Sequence, residues 1–111
     1  MKSVYRLKKN FQYNYVYKHS KSVADKNFVL LFCKSNVAQT KVGFSVSKKF
    51  GHAVQRNRIR RQMKAVVGPM MPNVEKGYNV VLIPRRQGHA YTFEEVSTST
   101  QKLFARAGLV K

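Results

Sequence analysis

Acidic residues are scarce in this sequence: four Asp and Glu stand against 22 Lys and Arg, which leaves a formal net charge of +18. Such an excess destabilises a compact fold by self-repulsion unless a partner supplies negative charge. The composition therefore predicts a nucleic-acid partner, with an anionic membrane surface as the weaker alternative. So few carboxylates also argue against the acid cluster that metal-dependent phosphodiester hydrolysis requires.

Cysteine and long apolar runs are nearly absent as well. Cys33 is the single cysteine, which excludes an internal disulfide and suits a reducing cytoplasm. The longest apolar runs, FVLLFC and VVLI, fall far short of the roughly 20 residues that a spanning helix needs. The N-terminal MKSVYRLKKNFQ carries charge without an apolar run behind it, so no signal peptide is expected. We therefore expect a cytoplasmic protein with no membrane segment.

One domain over residues 1–111 is the organisation that the length and the 43% apolar content predict. Hydrophobic periodicity predicts the element order αβββαβα, with helices packed on a mixed sheet. Gly68 and Pro69 are expected to end the second helix. The strand YNVVLIP is apolar on both faces and therefore central. The last helix is predicted to begin with a capping box of Thr92 and Glu95.

Aromatic and small residues together predict a shallow trough on the sheet. In the first helix, Tyr13, Val16 and Tyr17 fall at i, i+3 and i+4 and share one face. Phe11 and Tyr15 share another face, and the pattern assigns them no role. The strand TKVGFSVSK alternates core-facing Val42, Phe44 and Val46 with small polar Gly43, Ser45 and Ser47. Flanked by the tyrosines, the small residues would form the floor of the trough.

The stretch AVQRNRIRRQMK, residues 53–64, places five cations within nine residues. At about 100° per residue, a helix separates a buried stripe from an exposed ridge that contains Arg56, Arg60, Arg61 and Lys64. The predicted stripe consists of Ile59, Met63, Val66 and Val67. Arg58 lies alone on the far flank of the ridge, and Lys48 and Lys49 extend the charge upstream. A solvated helix usually mixes signs to gain i,i+4 pairs, but no acid occurs between Asp25 and Glu75. We therefore interpret the ridge as a phosphate-contacting surface, where Asn57 could read a base edge or a ribose hydroxyl.

Side chains for hydrolysis are not grouped in the sequence. Glu94 and Glu95 are adjacent and diverge by about 100° on a helix, so they cannot share a metal. His19, His52 and His89 fall in different elements, with no orienting acid nearby in sequence. The single cysteine leaves too few ligands for a zinc site. The chain alone is therefore expected to be chemically inert, with no catalytic and no metal-binding residues.

Over most of its length the sequence resembles the bacterial ribonuclease P protein subunit. The segment VGFSVSKKFGHAVQRNRIRRQMKAV is similar to the signature of that family, whose hallmark is an Arg-Asn-Arg motif on a helix. LKKNFQYNYVYKHSKSVA, FVLLF and TFEEVSTSTQKLFARAGL follow in the family's order and spacing. The resemblance implies an α+β fold, a two-layer α/β sandwich similar to a domain of elongation factor G and of a ribosomal protein. It also implies a left-handed β-α-β crossover, which general handedness rules would not predict.

The resemblance also implies a function and its residues. The family's protein binds a catalytic RNA and the single-stranded 5′ leader of precursor tRNA, and it assists Mg²⁺-dependent removal of the leader. The Mg²⁺ would be bound mainly by the RNA. The resemblance assigns contacts with the catalytic RNA to Arg56, Asn57, Arg58, Arg60, Arg61 and Lys64, and we add Lys48 and Lys49 because they extend the same charge. It assigns leader contacts to Tyr13 and Tyr17, and we add Phe28, Leu31, Ser47, Arg85 and Arg86. For Arg85 and Arg86 a solvated loop is an equal alternative. Leu31 stands where relatives often carry an aromatic residue, and the strand position of Phe28 also suits the core.

Two other functions are compatible with the same sequence. The first is a ribosomal or other structural RNA-binding protein, against which the aromatic trough and the full-length resemblance both argue. The second is a free-standing nuclease that uses its histidines. Neither the oligomeric state nor the preferred leader nucleotides follow from the sequence.

Overall fold

The computed structural model describes residues 1–110, and its helices and strands follow the predicted order. The helices are α1 (Asn10–His19), α2 (Ala53–Met70) and α3 (Phe93–Arg106). The strands are β1 (Lys21–Ala24), β2 (Phe28–Lys34), β3 (Lys41–Phe44) and β4 (Tyr78–Pro84). Short 3₁₀ turns occur at Ser3–Tyr5, Lys48–Phe50 and Met71–Asn73. No helix within residues 1–110 combines the length and the apolar content needed to cross a membrane.

The four strands form one mixed sheet in the order β1-β2-β4-β3. β2 pairs antiparallel with β1 and with β4, and the register with β4 runs from Phe28 opposite Pro84 to Lys34 opposite Tyr78. β3 pairs parallel with β4, and α2 connects the two. The predicted central position of the YNVVLIP strand is therefore confirmed. The β3-α2-β4 connection is the expected crossover unit, and its left-handed sense stays a prediction.

Helices cover both faces of the sheet. Leu30, Val80 and Leu82 face α2 and α3 and belong to the main core. Val81 and Cys33 face the other way and pack with Val16 of α1. The α+β sandwich is therefore confirmed, and the structure refines the two-layer description because α1 lies on the face opposite to α2 and α3. Cys33 is a buried thiol, and burial raises its pKa.

The end of α2 differs from the prediction. The helix continues through Gly68 and Pro69 to Met70. The Met71 N–H then donates to the Gly68 carbonyl, so the last turn tightens into a 3₁₀ turn. Met71 is 1% exposed, and its burial in the core holds the chain in this path. The missing N–H of Pro69 removes one backbone hydrogen bond from the helix, and only Met70 follows it within α2.

Of two further local predictions, the capping box of α3 is confirmed and the length of the third strand is not. The capping box of α3 is confirmed, since the Glu95 N–H donates to Thr92 Oγ1 at 3.1 Å and the Thr92 N–H donates to Glu95 Oε1 at 2.9 Å. The third strand is shorter than predicted and ends at Phe44. The Ser45 N–H still donates to the Leu82 carbonyl at 3.1 Å, after which the chain leaves the sheet for the 3₁₀ turn before α2.

Candidate nucleic-acid interface

The helix α2 separates its apolar and cationic residues as the sequence predicts. Its buried residues are the predicted stripe of Ile59, Met63, Val66 and Val67, all in the main core. Asn57, Arg58 and Arg61 are exposed, and Arg56, Arg60 and Lys64 are half-buried. We define the α2 ridge as these six residues of α2 together with Lys48 and Lys49. The two lysines are exposed on the 3₁₀ turn that leads into the helix, so the cations continue around its N-terminus.

Within residues 1–110, the cations of the α2 ridge have no carboxylate partner. The two ion pairs of the described chain both involve Glu95, with Arg86 and with His89. The polar contacts of the ridge are instead with uncharged groups. Arg56 Nη1 donates to the Gly51 carbonyl at 2.8 Å, and Arg60 Nη1 donates to Asn57 Oδ1 at 3.4 Å. The positive charge of the ridge is therefore compensated by no acid within the described part of the protein.

A groove of about 470 Å³ lies between α1 and the end of β3. We call it the Tyr13–Tyr17 groove, and its walls consist of Asn10, Tyr13, Asn14, Tyr17, Phe44, Ser45, Val46 and Arg60. The two tyrosine rings have centroids 6.4 Å apart and are tilted by 44°. The Tyr17 hydroxyl donates to Ser45 Oγ at 2.9 Å, and Tyr17 as a whole residue is 47% exposed. A groove therefore lies beside the predicted tyrosines, with Ser45 in its lining, whereas Gly43 and Ser47, the other predicted floor residues, do not line it.

Gly43 determines how Tyr13 lies against the sheet. A Cβ at this position would come within 2.6 Å of the Tyr13 ring carbons Cε1 and Cζ, closer than side chains can approach. The Tyr13 hydroxyl passes over the strand and donates to the Leu7 carbonyl at 3.2 Å. Burial raises the pKa of Tyr13. Tyr13 is thus the fixed wall of the groove, and Tyr17 is the exposed one.

Arg60 connects the ridge to the groove. It belongs to α2, which packs on one sheet face, and it lines a groove that lies on the other. This is possible because β3 is an edge strand, so a long side chain from α2 can reach around it. A strand of nucleic acid in the groove would therefore meet two aromatic rings and a guanidinium group that also belongs to the ridge.

Comparison with known proteins identifies the family of the chain. A family model described as Ribonuclease P matches residues 1–108. The ribonuclease P protein component of Exiguobacterium sp. is 40% identical over 107 residues, which span 96% of this chain and 93% of that protein. The chain belongs to the ribonuclease P protein family. The predicted resemblance is therefore confirmed.

Other ribonuclease P proteins agree in sequence and in structure. The component from Symbiobacterium thermophilum is 37% identical over 112 residues, covering 100% of this chain and 97% of that one. The Staphylococcus aureus RNase P protein superposes with a TM-score of 0.87 at 29% identity, over 96% of this chain and 98% of that chain. The Thermotoga maritima RNase P protein superposes with a TM-score of 0.81 at 28% identity, over 91% of this chain and 96% of that chain. As a protein component of ribonuclease P, a tRNA-processing ribonuclease, the chain has an RNA partner implied by its family.

In this ribonuclease P protein, two of the expected leader contacts lie on opposite faces of β2. Phe28 is 0% exposed and packs in the main core against Tyr91, with ring centroids 5.1 Å apart. The interpretation of Phe28 as a leader contact is therefore corrected: its ring points away from α1 and cannot touch a ligand. Leu31 is half-buried on the α1 face, beside Tyr13 and Val81. Alternation along the strand explains the difference.

Arg85, Arg86 and Ser47 line no part of the Tyr13–Tyr17 groove. Arg85 Nη1 donates to the Asp25 carbonyl at 2.7 Å. Arg86 Nη1 contacts Asn27 Oδ1 at 3.3 Å and Glu95 at 3.5 Å, which holds it beside α3. Ser47 is exposed at the start of the 3₁₀ turn. Their expected contacts with the leader stay predictions.

One of the histidines has an acid beside it that was not identified from the sequence. His89 Nε2 lies 3.0 Å from Glu95 Oε2. The two residues are six apart, and the capping box of α3 turns the carboxylate back toward His89. Hydrogen bonds from the Thr92 backbone and from His89 lower the pKa of Glu95. The carboxylate is thus engaged in capping the helix and in binding Arg86.

The acids lie apart from the basic surfaces. Asp25, Glu94 and Glu95 line a hollow beside α3, whereas no acid lines the Tyr13–Tyr17 groove. Asp25 accepts hydrogen bonds from the Asn27 and Phe28 N–H groups, which fixes the β1–β2 turn and contributes to a lowered pKa. Within residues 1–110, no three His, Cys, Asp or Glu side chains are placed to hold a metal ion.

Proposed function

We propose that this ribonuclease P protein binds the catalytic RNA through the α2 ridge and holds the single-stranded 5′ leader of precursor tRNA in the Tyr13–Tyr17 groove. In doing so it assists endonucleolytic removal of the leader, which gives the mature 5′ end of the tRNA. The observation that carries the proposal is Arg60, because it places a cation of the ridge inside a groove with two tyrosine rings. The arrangement allows one protein to contact both RNAs at adjoining surfaces.

Stacking supports the leader part of the proposal. Sequence-tolerant binding of single strands combines a cationic groove for the backbone with aromatic rings on which bases stack, each worth about 1–3 kcal/mol. Tyr17 is held by Ser45 and remains 47% exposed, so its ring is fixed and accessible at once. Tyr13 packs against Gly43 and donates to the Leu7 carbonyl at 3.2 Å, and the groove is present without a ligand.

Electrostatics supports the catalytic-RNA part. The guanidinium groups of Arg58 and Arg61 are exposed without carboxylate partners among the described residues, so phosphates need displace no ion pair. Neutralising phosphates releases counterions, which makes such binding strong and salt-dependent. The planar fork of Arg suits bidentate contact with phosphate oxygens.

We assign the chemistry to the RNA subunit, which would hold Mg²⁺. This assignment rests on the donor set of the chain, where Asp25 and Glu95 are already bound to backbone groups or side chains near α3. The residues of the protein would act by reducing the phosphate repulsion between two RNAs and by lengthening the contact with substrate. The protein is expected to act in the cytoplasm.

The experiment that tests the function is reconstitution with the catalytic RNA at low Mg²⁺. The protein should restore leader removal where the RNA alone is inactive, and binding should be tighter for tRNA with a leader than for tRNA without one. Restoration without leader preference would refute the groove assignment, and no restoration would favour a structural RNA-binding protein.

A control experiment tests the alternative that the protein is a free-standing nuclease. Substitution of His19, His52 and His89 together should leave cleavage by the holoenzyme nearly intact. Cleavage of precursor tRNA by the purified protein without RNA, lost in the triple variant, would contradict the proposal. Because His89 binds Glu95 at 3.0 Å, the folding of this variant should be checked by circular dichroism.

A further inference from the structure

A second groove, of about 780 Å³, lies on the other flank of α1. It separates the helix from the loop that follows β2, and Asn79 of β4 lies in its lining. We call it the Phe11–Tyr15 groove, and the residues used below are Phe11, Tyr15, Lys18, His19, Lys34 and Asn79. The function proposed above makes no use of this surface.

The aromatic rings of this groove are unusually open. Phe11 is 66% exposed and Tyr15 is 51% exposed, although burial of such rings is what stabilises folds. The rings also have ordered neighbours: Tyr15 and His19 have centroids 4.4 Å apart, and Lys9 Nζ lies 6.0 Å from the centroid of Phe11. The rings are thus placed by side chains of α1 and its N-terminus, with much of their area free for another planar group.

The charge of the groove favours a polyanion. Lys18 and Lys34 are exposed in its lining, on the helix and at the end of β2 respectively. No acid lines this groove. A second copy of the chain would bring its own positive charge to these lysines, because each chain carries a formal charge of +18. Cations around exposed aromatic rings are the combination that binds single-stranded nucleic acid.

Asn79 favours a ligand that carries hydrogen-bond donors. It is 5% exposed, and its Oδ1 accepts no hydrogen bond from residues 1–110. The other end of the amide donates to Ser35 Oγ at 3.4 Å. An apolar protein face would leave this acceptor unsatisfied, whereas the amino group of a nucleobase could satisfy it after a small side-chain movement.

The two grooves share one lining residue, Asn14. Asn14 is exposed on α1 and lines both of them, so a strand leaving the Tyr13–Tyr17 groove can cross the helix at this residue. We infer that the Phe11–Tyr15 groove is a second single-strand subsite, which binds leader nucleotides further upstream than those in the Tyr13–Tyr17 groove. This inference rests on the leader binding proposed above and adds a length dependence to it.

The experiment uses the reconstituted holoenzyme and a series of precursor tRNAs, from leaderless to a leader of about 16 nucleotides, near the upper end of single-strand site sizes. The affinity of the wild type should rise in two steps with leader length. The double variant Phe11→Ala and Tyr15→Ala should lose the second step alone, at least about fivefold for the longest leader, as expected from one lost stack. The variant Phe11→Tyr and Tyr15→Phe keeps both rings and should retain both steps.

Each alternative result has a defined meaning. No loss at any length, or an equal loss at every length including leaderless tRNA, would overturn the inference. If Tyr13→Ala and Tyr17→Ala remove the first step while the Phe11 and Tyr15 alanine variant behaves as wild type, the proposed function stands and the second subsite does not exist. If the Phe11 and Tyr15 alanine variant loses the second step while Tyr13→Ala and Tyr17→Ala behave as wild type, the leader assignment of the Tyr13–Tyr17 groove fails instead.

Two measurements distinguish self-association from base stacking as the role of Phe11 and Tyr15. Sedimentation at assay concentration reports self-association, and a wild-type dimer that becomes monomeric in the alanine variant without any change in leader affinity would overturn the inference in favour of a second copy. Leaders with 2-aminopurine at successive positions report stacking directly. Fluorescence quenched at upstream positions by the wild type, and recovered in the alanine variant, is the expected result; quenching unchanged by the variant would contradict it.

Discussion

The α2 ridge and the Tyr13–Tyr17 groove meet at Arg60, yet they are built from different physical principles. The ridge is a set of long cationic side chains from one helix, and its charges interact with any phosphate nearby. The groove combines α1, β3 and α2, and its tyrosines are held by Gly43 and by Ser45. The ridge can bind by charge without a defined geometry, whereas the groove must have its geometry to stack a base. The two surfaces should therefore fail in different ways when residues are changed.

The largest effect on binding is expected from substitutions in the Tyr13–Tyr17 groove. The double variant Tyr13→Ala and Tyr17→Ala should weaken binding of precursor tRNA with a leader by about 1–3 kcal/mol per lost stack. Leaderless tRNA should bind as before. The measurement is equilibrium binding to the reconstituted holoenzyme, with Tyr13→Phe and Tyr17→Phe as the control that keeps the rings. Equal losses for both substrates would place the tyrosines outside the leader site.

Gly43→Ala tests whether the groove depends on its geometry. The new methyl group overlaps the Tyr13 ring, so the free energy of unfolding should fall by about 1–3 kcal/mol, as for overpacked sites. Leader affinity should fall less than in Tyr13→Ala, because the ring is displaced and not removed. In a double-mutant cycle measured by urea denaturation, the cost of Gly43→Ala should shrink when Tyr13 is already alanine. Equal costs in both backgrounds would show that the two residues are not coupled.

The ridge should show a smaller and salt-dependent effect. Lys64→Ala and Arg60→Ala should each flatten the salt dependence of catalytic-RNA binding by up to about one phosphate. Arg60→Ala should in addition weaken leader binding, because Arg60 lines the groove and Lys64 does not. Binding isotherms over a series of salt concentrations distinguish the two variants. If both variants leave leader preference unchanged, the structural connection between ridge and groove has no role in binding.

The smallest effect lies outside both surfaces, at Glu95. The hydrogen bonds that lower its pKa favour the ionised carboxylate in the folded state. Its contribution to stability is therefore present above the pKa of the unfolded chain and is lost as pH falls through the lowered folded pKa. Glu95→Gln should lower the melting temperature near neutral pH, and the difference from wild type should disappear once the pH has fallen below the lowered folded pKa of Glu95. Glu94→Gln is the matched control and should change little. A constant difference at all pH values would mean that charge is not involved.

Local patterns in the sequence predicted much of the fold. The period of the second helix identified all four of its buried residues, and the capping box located the start of α3. The sequence predicted that α2 ends at Gly68 and Pro69, but the helix continues to Met70. Pro69 disfavours a helix locally, whereas burial of Met71 in the core favours the observed path. Tertiary packing overrides helix propensity in this way because the buried area is worth more than one backbone hydrogen bond.

The candidate site was predicted less completely. The i, i+4 spacing of Tyr13 and Tyr17 correctly placed them on one face, but it could not show that Asn10 and Asn14 line the same groove. Alternation along the second strand separated Phe28 from Leu31, and this signal could have excluded Phe28 from the leader site. The predicted trough placed Ser45 near the tyrosines, but the sequence did not specify the hydrogen bond between Tyr17 and Ser45, which lie 28 residues apart.

The charge, the helical ridge and the order of elements were determined by the sequence itself, since each depends on composition or on neighbours within a few residues. The tertiary structure alone decided which distant side chains meet. The strand order β1-β2-β4-β3 leaves β3 at the edge of the sheet, and only for that reason can Arg60 enter a groove on the opposite face. Local periodicity specifies the face on which a residue lies, whereas strand pairing specifies what that face touches.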